Sequence, residues 1–202
     1  MYTTGVSKFP HASFMLSAAA PEQFPPDFGA EIAFAGRSNA GKSSAINAIV
    51  ARNGLARTSK TPGRTRLLNF FELAPNQRIV DLPGYGYADV PEAERRIWVP
   101  LINALRTRES LRGLFLIVDS RRGLTDGDAE LIEWSDPSIR DVHVLLSKAD
   151  KLTQNEARAV LRKAETELNG RATVQLFSAT KRTGLDTAQR MLSSWLAQKT
   201  QT

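Results

Sequence analysis

Residues 36–43 of the 202-residue chain read Gly-Arg-Ser-Asn-Ala-Gly-Lys-Ser and fit the pattern GxxxxGK[ST]. An apolar run precedes them and a helical pattern follows, so this loop would connect a strand to the N-terminus of a helix. Backbone N–H groups of such a loop can surround phosphate oxygens, while Lys42 reaches the β- and γ-phosphates and Ser43 coordinates Mg²⁺. The pattern therefore predicts a phosphate-binding loop (P-loop) for a nucleoside triphosphate and Mg²⁺.

A second motif, Asp81-Leu82-Pro83-Gly84, closes a predicted strand. A carboxylate at this position can hold Mg²⁺ through water, and Gly84 can offer its N–H to the γ-phosphate. DxxG by itself is a common turn. Because it follows a P-loop here, it predicts the segment that senses the γ-phosphate.

The polar stretch from Thr58 to Arg66 lies between these two motifs. A threonine hydroxyl from it could complete the Mg²⁺ coordination only while the γ-phosphate is bound, which would make the stretch an order–disorder switch. Thr65 is the preferred ligand and Thr61 the alternative. Residues 52–66 hold five basic residues and no acidic one; they form either a basic patch on the switch or an ordinary solvated loop.

Two further fragments would recognise the base. In Ser147-Lys148-Ala149-Asp150, the aspartate can accept hydrogen bonds from guanine N1–H and its exocyclic amine, and the lysine stem can cover the base. Adenine lacks this pair of donors, so Asp150 would select GTP over ATP. In Phe177-Ser178-Ala179, a backbone N–H could meet the guanine O6.

Short apolar runs alternate with amphipathic ones from Glu31 onward, which is the pattern of βαβ units. The pattern predicts strands at Glu31–Ala35, Arg66–Leu73, Arg78–Asp81, Gly113–Asp119, Val142–Ser147 and Thr173–Phe177. It predicts helices at Ser44–Ala51, Thr153–Gly170 and Asp186–Ala197, and one between Pro91 and Arg112 that is kinked or starts late at Pro100. The turn 74–77 makes the second and third strands a hairpin. We expect a three-layer α/β fold, with a mixed, mostly parallel six-stranded sheet and helices on both faces.

The N-terminal region differs in pattern from the rest of the chain. Residues 1–28 lack periodicity and contain four prolines, which predicts an irregular arm ahead of a single domain at 29–202. Residues 14–20 loosely resemble a secretory signal, but Ser17 interrupts them and Pro21 follows. No run approaches the roughly 18–20 apolar residues of a membrane-spanning helix, so we expect a cytoplasmic protein without a membrane partner.

Composition narrows the chemistry further. The chain has no cysteine, which excludes disulfides, thiolate metal sites and cysteine nucleophiles, and its two histidines are too few for a His-based metal site. We expect His143, on the fifth predicted strand, to be a packing residue. The net charge of +6 weakly favours a polyanionic partner. Basic clusters that could contact RNA phosphates occur at Arg95-Arg96, at Arg106, Arg108 and Arg112, and at Arg121-Arg122.

The order GRSNAGKS, TPGRT, DLPGYGYA, SKAD and FSA resembles the EngB family of bacterial GTPases, over roughly Phe24 to Leu196. The resemblance implies nucleotide contacts at Gly36, Arg37, Ser38, Asn39, Ala40, Gly41, Lys42, Ser43, Gly63, Arg64, Thr65, Arg66, Leu67, Asp81, Leu82, Pro83, Gly84, Ser147, Lys148, Ala149, Asp150, Phe177, Ser178 and Ala179. It implies Ser43 and Thr65 as magnesium ligands, with Asp81 acting through water, and we take Lys42, Thr65 and Gly84 as the catalytic residues. It also implies a monomer that acts with GTP and GDP in maturation of the large ribosomal subunit, on ribosomal RNA, and a role in cell division and septation.

Two positions depart from a generic GTPase. Ser147 replaces an asparagine whose carboxamide would brace the P-loop, so we expect weaker nucleotide binding. Tyr85 stands where Ras-like proteins have a water-orienting glutamine, so we expect slow hydrolysis. A K⁺ ion at Asn39, as in the similar GRxNAGKS loop of MnmE, could supply the missing charge. Tyr85 and its neighbours Gly86 and Tyr87 would either respond to the γ-phosphate and contact a partner or simply pack in a turn.

Two alternative functions remain open from the sequence. One is an ATP-using P-loop enzyme such as a kinase. The other is a nucleotide-stabilised RNA-binding scaffold with negligible turnover, which the missing glutamine would suit.

Overall fold

The computed structural model describes residues 8–56, 67–85, 92–136 and 140–198, with side chains described throughout except at 92–98. The strands are β1 Ser13–Ala18, β2 Ala30–Gly36, β3 Leu68–Ala74, β4 Gln77–Asp81, β5 Leu111–Asp119, β6 Asp141–Ser147 and β7 Thr173–Leu176. The helices are α1 Lys42–Val50, α2 Glu92–Arg106, α3 Asp126–Ser135, α4 Gln154–Leu168 and α5 Leu185–Ala197, with short 3₁₀ turns at Pro21–Gln23 and Ala149–Lys151.

The described strands form one sheet in the order β1-β3-β4-β2-β5-β6-β7. The pairs β1/β3 and β3/β4 are antiparallel, and the remaining pairs are parallel. The carboxyl ends of β4, β2, β5, β6 and β7 therefore meet at one edge of the sheet, where ligands bind in open α/β folds. We call it the nucleotide edge and the opposite one the lower edge. The expected α/β fold, mostly parallel and with the β3–β4 hairpin, is confirmed.

Helices cover both faces, because the central strands are apolar on both sides. All of β2 is buried, as is typical of a central parallel strand. On one face, α1 and α5 pack on the side chains of Phe34 and Phe115, and on the other face α2, α3 and α4 pack on those of Ala33 and Leu116. The predicted strands are confirmed with ends shifted by at most two residues.

The sheet has seven strands rather than six, because the segment predicted as irregular contributes β1. This strand pairs with β3, where Ser17 Oγ donates to Asn69 Oδ1 at 2.6 Å and Phe14 packs edge-on against Phe71. The prolines of this region flank the strand instead of interrupting it. For residues 13–18, the expectation of an irregular arm is therefore wrong.

Two helices differ from the expectation, and a third agrees with it. The sequence reading missed α3, whose N-terminus is capped by Thr125 and Asp128. Helix α2 continues through Pro100 instead of starting there. Helix α4 has the predicted capping box, with Thr153 N donating to Glu156 Oε2 at 2.7 Å. Among the described residues, no helix has the length and apolarity that crossing a membrane requires.

A buried carboxylate holds two arginines at the lower edge. Glu31 is fully buried, and its oxygens accept from Arg78 Nε at 2.8 Å and from Arg108 Nε at 2.6 Å. Both guanidinium groups also donate to the Pro26 carbonyl. The expected placement of Arg108 in an RNA-binding cluster near the switch is therefore wrong, because Arg108 is buried and lies at the end of the sheet away from the P-loop.

Trp195 of α5 fills the space beside Gly113 of β5. A Cβ at position 113 would lie 2.8 Å from Trp195 Cε3, so the close approach of helix and strand requires glycine there. The indole N–H donates to Asp141 Oδ2 at 2.9 Å, which fixes the ring at the start of β6. Helix α5 also packs on α1, the helix that follows the P-loop.

Candidate nucleotide-binding site

The P-loop runs from the end of β2 to the start of α1. Gly36 is the last residue of β2, and α1 begins at Lys42 after Gly41, whose backbone is left-handed with φ of 99°. The turn is closed by Ala40 N donating to the Arg37 carbonyl at 3.0 Å. The N–H groups and the positive dipole end of the helix N-terminus thus lie beside the loop, as phosphate binding requires.

The side chains of Lys42 and Asp81 meet beside the loop. Lys42 Nζ contacts Asp81 Oδ1, and the two side chains are only 13% and 7% exposed. Burial raises the pKa of Asp81 above its ordinary value, and the charge and hydrogen bond of Lys42 only partly oppose this. A carboxylate desolvated in this way is stabilised by a nearby cation, which suits the predicted role of Asp81 beside a metal ion.

Gly84 lies against the P-loop backbone. A Cβ at this position would be 3.3 Å from both Cα and N of Ser38, so a larger residue would press on the loop. Ser38 N donates to the Tyr85 carbonyl at 3.0 Å, which joins the two motifs directly. Leu82 and Pro83 are buried while Gly84 is exposed, so Gly84 is accessible beside the phosphate loop.

Tyr85 turns its side chain toward α3. Its hydroxyl donates to Asp128 Oδ1, and Asp128 is only 1% exposed. The other oxygen, Asp128 Oδ2, accepts from Thr125 N at 2.8 Å and from Thr125 Oγ1 at 2.6 Å. Burial and the Asp128 charge both raise the pKa of Tyr85, so the hydroxyl keeps its proton. This hydroxyl is therefore committed to α3.

Ser147 does brace the P-loop despite replacing an asparagine. Its Oγ donates to the Ala40 carbonyl at 2.5 Å, and it is almost fully buried. The expected loss of this brace is therefore wrong, because the shorter hydroxyl still reaches the loop. Weaker nucleotide binding was expected because of that loss. It therefore remains a prediction that the structure does not support.

Lys148 is held in place from two sides. Its Nζ donates to the Asn39 carbonyl at 2.5 Å and to Asp119 Oδ2 at 2.9 Å. Asp119 also accepts from Arg121 Nε at 3.0 Å, and the Arg121 and Lys148 contacts hold the pKa of Asp119 well below its usual range. The lysine expected to cover the base is thus fixed between the P-loop and the end of β5.

Asp150 and the last loop approach each other at the same edge. Ser178 Oγ donates to Asp150 Oδ1 at 2.6 Å, and this hydrogen bond lowers the pKa of the carboxyl. Ala149 N donates to the Phe177 carbonyl at 3.1 Å, so the loops after β6 and β7 are joined through their backbones. Asp150 is therefore ionised at neutral pH, as accepting two guanine N–H bonds requires.

The described part of the chain thus brings together the P-loop, the DxxG motif and the two base-recognition fragments. Leu67 is described and partly buried before β3. The expectations for Thr61, Gly63, Arg64, Thr65, Arg66, Gly86 and Tyr87 lie outside the described residues, as do those for the side chains of Arg95 and Arg96.

Two residues of this region were not predicted from the sequence, and the prediction for a third is confirmed. The sequence reading missed Asp119 and Asp128; Asp119 ends a buried strand just as Asp81 does, and that signal could have identified it. His143 is buried and hydrogen bonds with Thr173 and Gln175, so its expected packing role is confirmed.

A phosphate loop and a guanine-recognising loop on one edge of a mostly parallel sheet are the arrangement of the P-loop GTPases, and this places the protein in that class. A family model described as 50S ribosome-binding GTPase matches residues 31–148. The chain is 53% identical, over 193 residues, to the probable GTP-binding protein EngB of Azoarcus sp. (strain BH72), which covers 93% of this chain and 92% of that protein. It is 49% identical, over 191 residues, to the EngB protein of Coxiella burnetii, with 93% of each chain covered. The chain therefore belongs to the EngB family of GTP-binding proteins.

Solved structures show the same fold. A probable GTP-binding protein engB superposes with a TM-score of 0.63 at 24% identity, over 84% of this chain and 100% of that one. Era in complex with MgGDPNP and nucleotides 1506–1542 of 16S ribosomal RNA gives a TM-score of 0.63 at 20% identity, over 84% of this chain and 57% of Era.

Proposed function

We propose that this protein is a Mg²⁺-dependent GTP switch that hydrolyses GTP slowly and acts in the cytoplasm on the large ribosomal subunit or its precursor. One observation carries the nucleotide part: Lys42, Asp81, Lys148 and Asp150 end or follow three separate strands, β2, β4 and β6, and lie at the same edge of the sheet. The ribosomal part is supported by the matching family, whose description names a 50S ribosome-binding GTPase.

The residues fit a bound magnesium ion. Asp81 is a buried carboxylate at the end of β4, and Ser43 places a hydroxyl in the first turn of α1. No cluster of three or more acidic or histidine side chains that could hold a metal occurs in the described ranges, so phosphate, hydroxyl and water oxygens would supply most ligands. We assign Ser43 and Thr65 as direct ligands and Asp81 as a ligand through water. When bound, Mg²⁺ would neutralise charge on the β- and γ-phosphates.

Hydrolysis would depend on electrostatic stabilisation. Lys42 and the P-loop N–H groups face the phosphates, while Gly84 offers its N–H to the γ-phosphate. The hydroxyl of Tyr85 is bound to Asp128, so Tyr85 leaves the orientation of the attacking water to another group. Turnover by the isolated protein would therefore be slow.

A K⁺ ion at Asn39 could supply part of the missing charge. The Asn39 backbone is left-handed, with φ of 62°, and its side chain is exposed at the P-loop. Single-turnover hydrolysis should then be faster in K⁺ than in Na⁺ buffer, and Asn39→Ala should remove the difference. Equal rates in the two buffers, with and without ribosomal particles, would rule the ion out.

Base specificity is tested by Asp150→Asn, which converts a double acceptor into a group with one acceptor and one donor. We expect the variant to lose GDP affinity and to gain affinity for xanthosine diphosphate, with ADP bound weakly by both proteins. An ATP-using P-loop enzyme would bind ADP best and be insensitive to this change. Unchanged nucleotide preference in the variant would contradict guanine recognition.

A second experiment separates a switch from a scaffold. Single-turnover GTP hydrolysis is measured alone and with purified large-subunit precursors, and cosedimentation with the particles is measured in GTP, in GDP and at high salt. A switch predicts faster hydrolysis on the particle and nucleotide-dependent binding. Binding without any acceleration or nucleotide dependence would favour the RNA-binding scaffold, and no binding would refute the ribosomal role.

The remaining expectations follow from the family resemblance. We expect a monomer, which sedimentation equilibrium of the GDP-bound protein tests directly. We also expect depletion of the protein to cause defects in cell division and septation. Accumulation of large-subunit precursors before any septation defect would indicate that the division phenotype is secondary.

A further inference from the structure

The loops that follow β5, β6 and β7 form a continuous row at the nucleotide edge. The three strands are neighbours and parallel, so their carboxyl-terminal loops lie side by side. Adjacent strands are about 4.8 Å apart, so the row extends over roughly 10 Å before its side chains are counted. We call residues 119–125, 147–152 and 177–184 the basic rim.

The basic rim carries an excess of positive charge. Its six cationic residues are Arg121, Arg122, Lys148, Lys151, Lys181 and Arg182, and its two acidic residues are Asp119 and Asp150. The net charge of these three loops is thus +4, out of +6 for the whole chain. The side chains of Arg121 and Lys151 are 51% and 63% exposed, and Arg122, Lys181 and Arg182 are also exposed.

Several basic residues elsewhere in the described ranges are paired with acidic ones or balanced by them. Arg78 and Arg108 are buried on Glu31 at the lower edge, and Arg106 lies 3.8 Å from Asp136. Helix α4 carries three basic and three acidic residues. The basic rim therefore offers a polyanion a row of exposed cationic side chains at one edge of the sheet.

The described residues of the basic rim also lack the exposed apolar side chains on which a protein or membrane partner would depend. In the described part of the chain, the exposed large apolar side chains are Phe14, Met15, Phe28 and Val99, and none belongs to the basic rim. Protein interfaces depend on apolar or aromatic anchors, and membrane binding depends on an inserted apolar face. A phosphate backbone requires neither, because its affinity comes from released counterions.

We propose that the basic rim is a docking surface for the phosphate backbone of RNA. The proposal rests on the proposed ribosomal function and deepens it, because it assigns the RNA contact to three strand-end loops. Of the clusters expected from the sequence, it keeps Arg121 and Arg122 and leaves out the other two, and it adds Lys151, Lys181 and Arg182.

The position of the basic rim links RNA binding to nucleotide release. Lys148 and Asp150, which would hold the guanine base, belong to the middle loop of the row. RNA seated across the three loops covers the base side of the nucleotide site, so it slows release of the nucleotide.

The test compares two triple variants of the full chain that remove the same charge. The rim variant is Arg122→Gln, Lys181→Gln and Arg182→Gln, which leaves Lys148 and Asp150 intact. The control variant, in α4, is Arg158→Gln, Arg162→Gln and Lys163→Gln. Binding of a labelled RNA duplex and cosedimentation with purified large subunits are measured at a series of salt concentrations with GDP bound. GDP affinity without RNA should match that of the unmodified protein in both variants, which also reports folding.

We expect the rim variant to bind RNA more weakly and to lose about 0.9 units per removed cation from the slope of log K against log salt, or nearly three units in all. Its GDP release should no longer be slowed by RNA, whereas the α4 variant should behave as the unmodified protein. Should the triple variant lose GDP affinity, Arg122→Gln and Lys181→Gln are tested singly, and each should lose about one slope unit.

The outcomes separate the two proposals. If the unmodified protein binds neither RNA nor large subunits, the proposed function fails. If it binds and the rim and α4 variants weaken equally, or the rim variant binds as before, the rim proposal fails while the proposed function stands. Polyglutamate that binds the unmodified protein as tightly as the RNA duplex at equal ionic strength would also overturn RNA as the partner.

Discussion

The hydrogen bond between Tyr85 and Asp128 joins the segment that follows the DxxG motif to α3, and Tyr85→Phe removes it. The substitution deletes only the hydroxyl, so the ring keeps its packing beside Gly127. Asp128 Oδ1 then loses the hydrogen bond from the Tyr85 hydroxyl, while Oδ2 still accepts hydrogen bonds from Thr125. The change therefore leaves one oxygen of a buried carboxylate without its partner.

The magnitude follows from the burial of Asp128. A hydrogen bond to a charged group contributes about 1.5–3 kcal/mol, and Asp128 is only 1% exposed, so water cannot replace the lost donor. We expect the free energy of unfolding to fall by about 2 kcal/mol. With a urea m-value of about 2 kcal/mol/M, the unfolding midpoint falls by about 1 M.

The assay is urea unfolding of nucleotide-free protein, because bound nucleotide would add its own stabilisation. Glu156→Gln in the exposed capping box of α4 is the matched control, and it should cost no more than about 0.5 kcal/mol. The same Tyr85→Phe change is then made in an Asp128→Asn background. The loss should shrink to below about 1 kcal/mol there, since no charge is left without a partner.

Two results would refute the reasoning. One is a Tyr85→Phe protein within about 0.5 kcal/mol of the unmodified protein, which would mean that Asp128 finds another donor. The other is an equal loss in both backgrounds, which would mean that the hydroxyl acts without the carboxylate. Either result would mean that this hydrogen bond does not couple the DxxG segment to α3.

Three further predictions concern other parts of the molecule. Burial lowers the pKa of His143 from 6.5, so below that pH the unfolded chain takes up a proton that the folded chain refuses. Unfolding free energy should then fall with decreasing pH by up to about 1.4 kcal/mol per unit, and His143→Gln should reduce this slope in urea titrations from pH 7.5 to 5.5. Glu31→Gln should destabilise the protein by about 3–5 kcal/mol, because it leaves two buried guanidinium groups without their carboxylate; a loss below 1 kcal/mol in thermal unfolding would contradict this. Asp119→Asn should weaken GDP binding about tenfold, since Lys148 loses a charged partner worth at least about 1.4 kcal/mol, and faster release of labelled GDP is the readout.

The sequence was enough to place the motifs at the nucleotide edge, because each motif is contiguous and follows a predicted strand. The P-loop pattern is specific to phosphate binding, so it predicted the loop, the strand before it and the helix after it at the same time. The same holds for Asp150 and Ser178, whose loops follow strands with plain apolar patterns. Local spacing was sufficient wherever the function belongs to a single loop.

Contacts between distant segments could not be predicted in this way. Arginine is usually a surface residue, and Arg108 is buried only because the fold places it beside Glu31. Aspartate is common in the first turn of a helix, so the type of residue at position 128 does not reveal its hydrogen bond to Tyr85, which lies 43 residues earlier. Strand β1 was missed because prolines on both sides concealed a short pairing segment whose stability comes from β3.

The contact between Gly113 and Trp195 has a consequence for genetics. Any side chain at position 113 would displace the indole and shift α5, which packs on α1, the helix that begins at Lys42. Alleles that impair nucleotide binding should therefore arise at the lower edge of the sheet as well as in the motifs. Gly113→Ala is a candidate temperature-sensitive allele, with an intact site whose support is lost on warming.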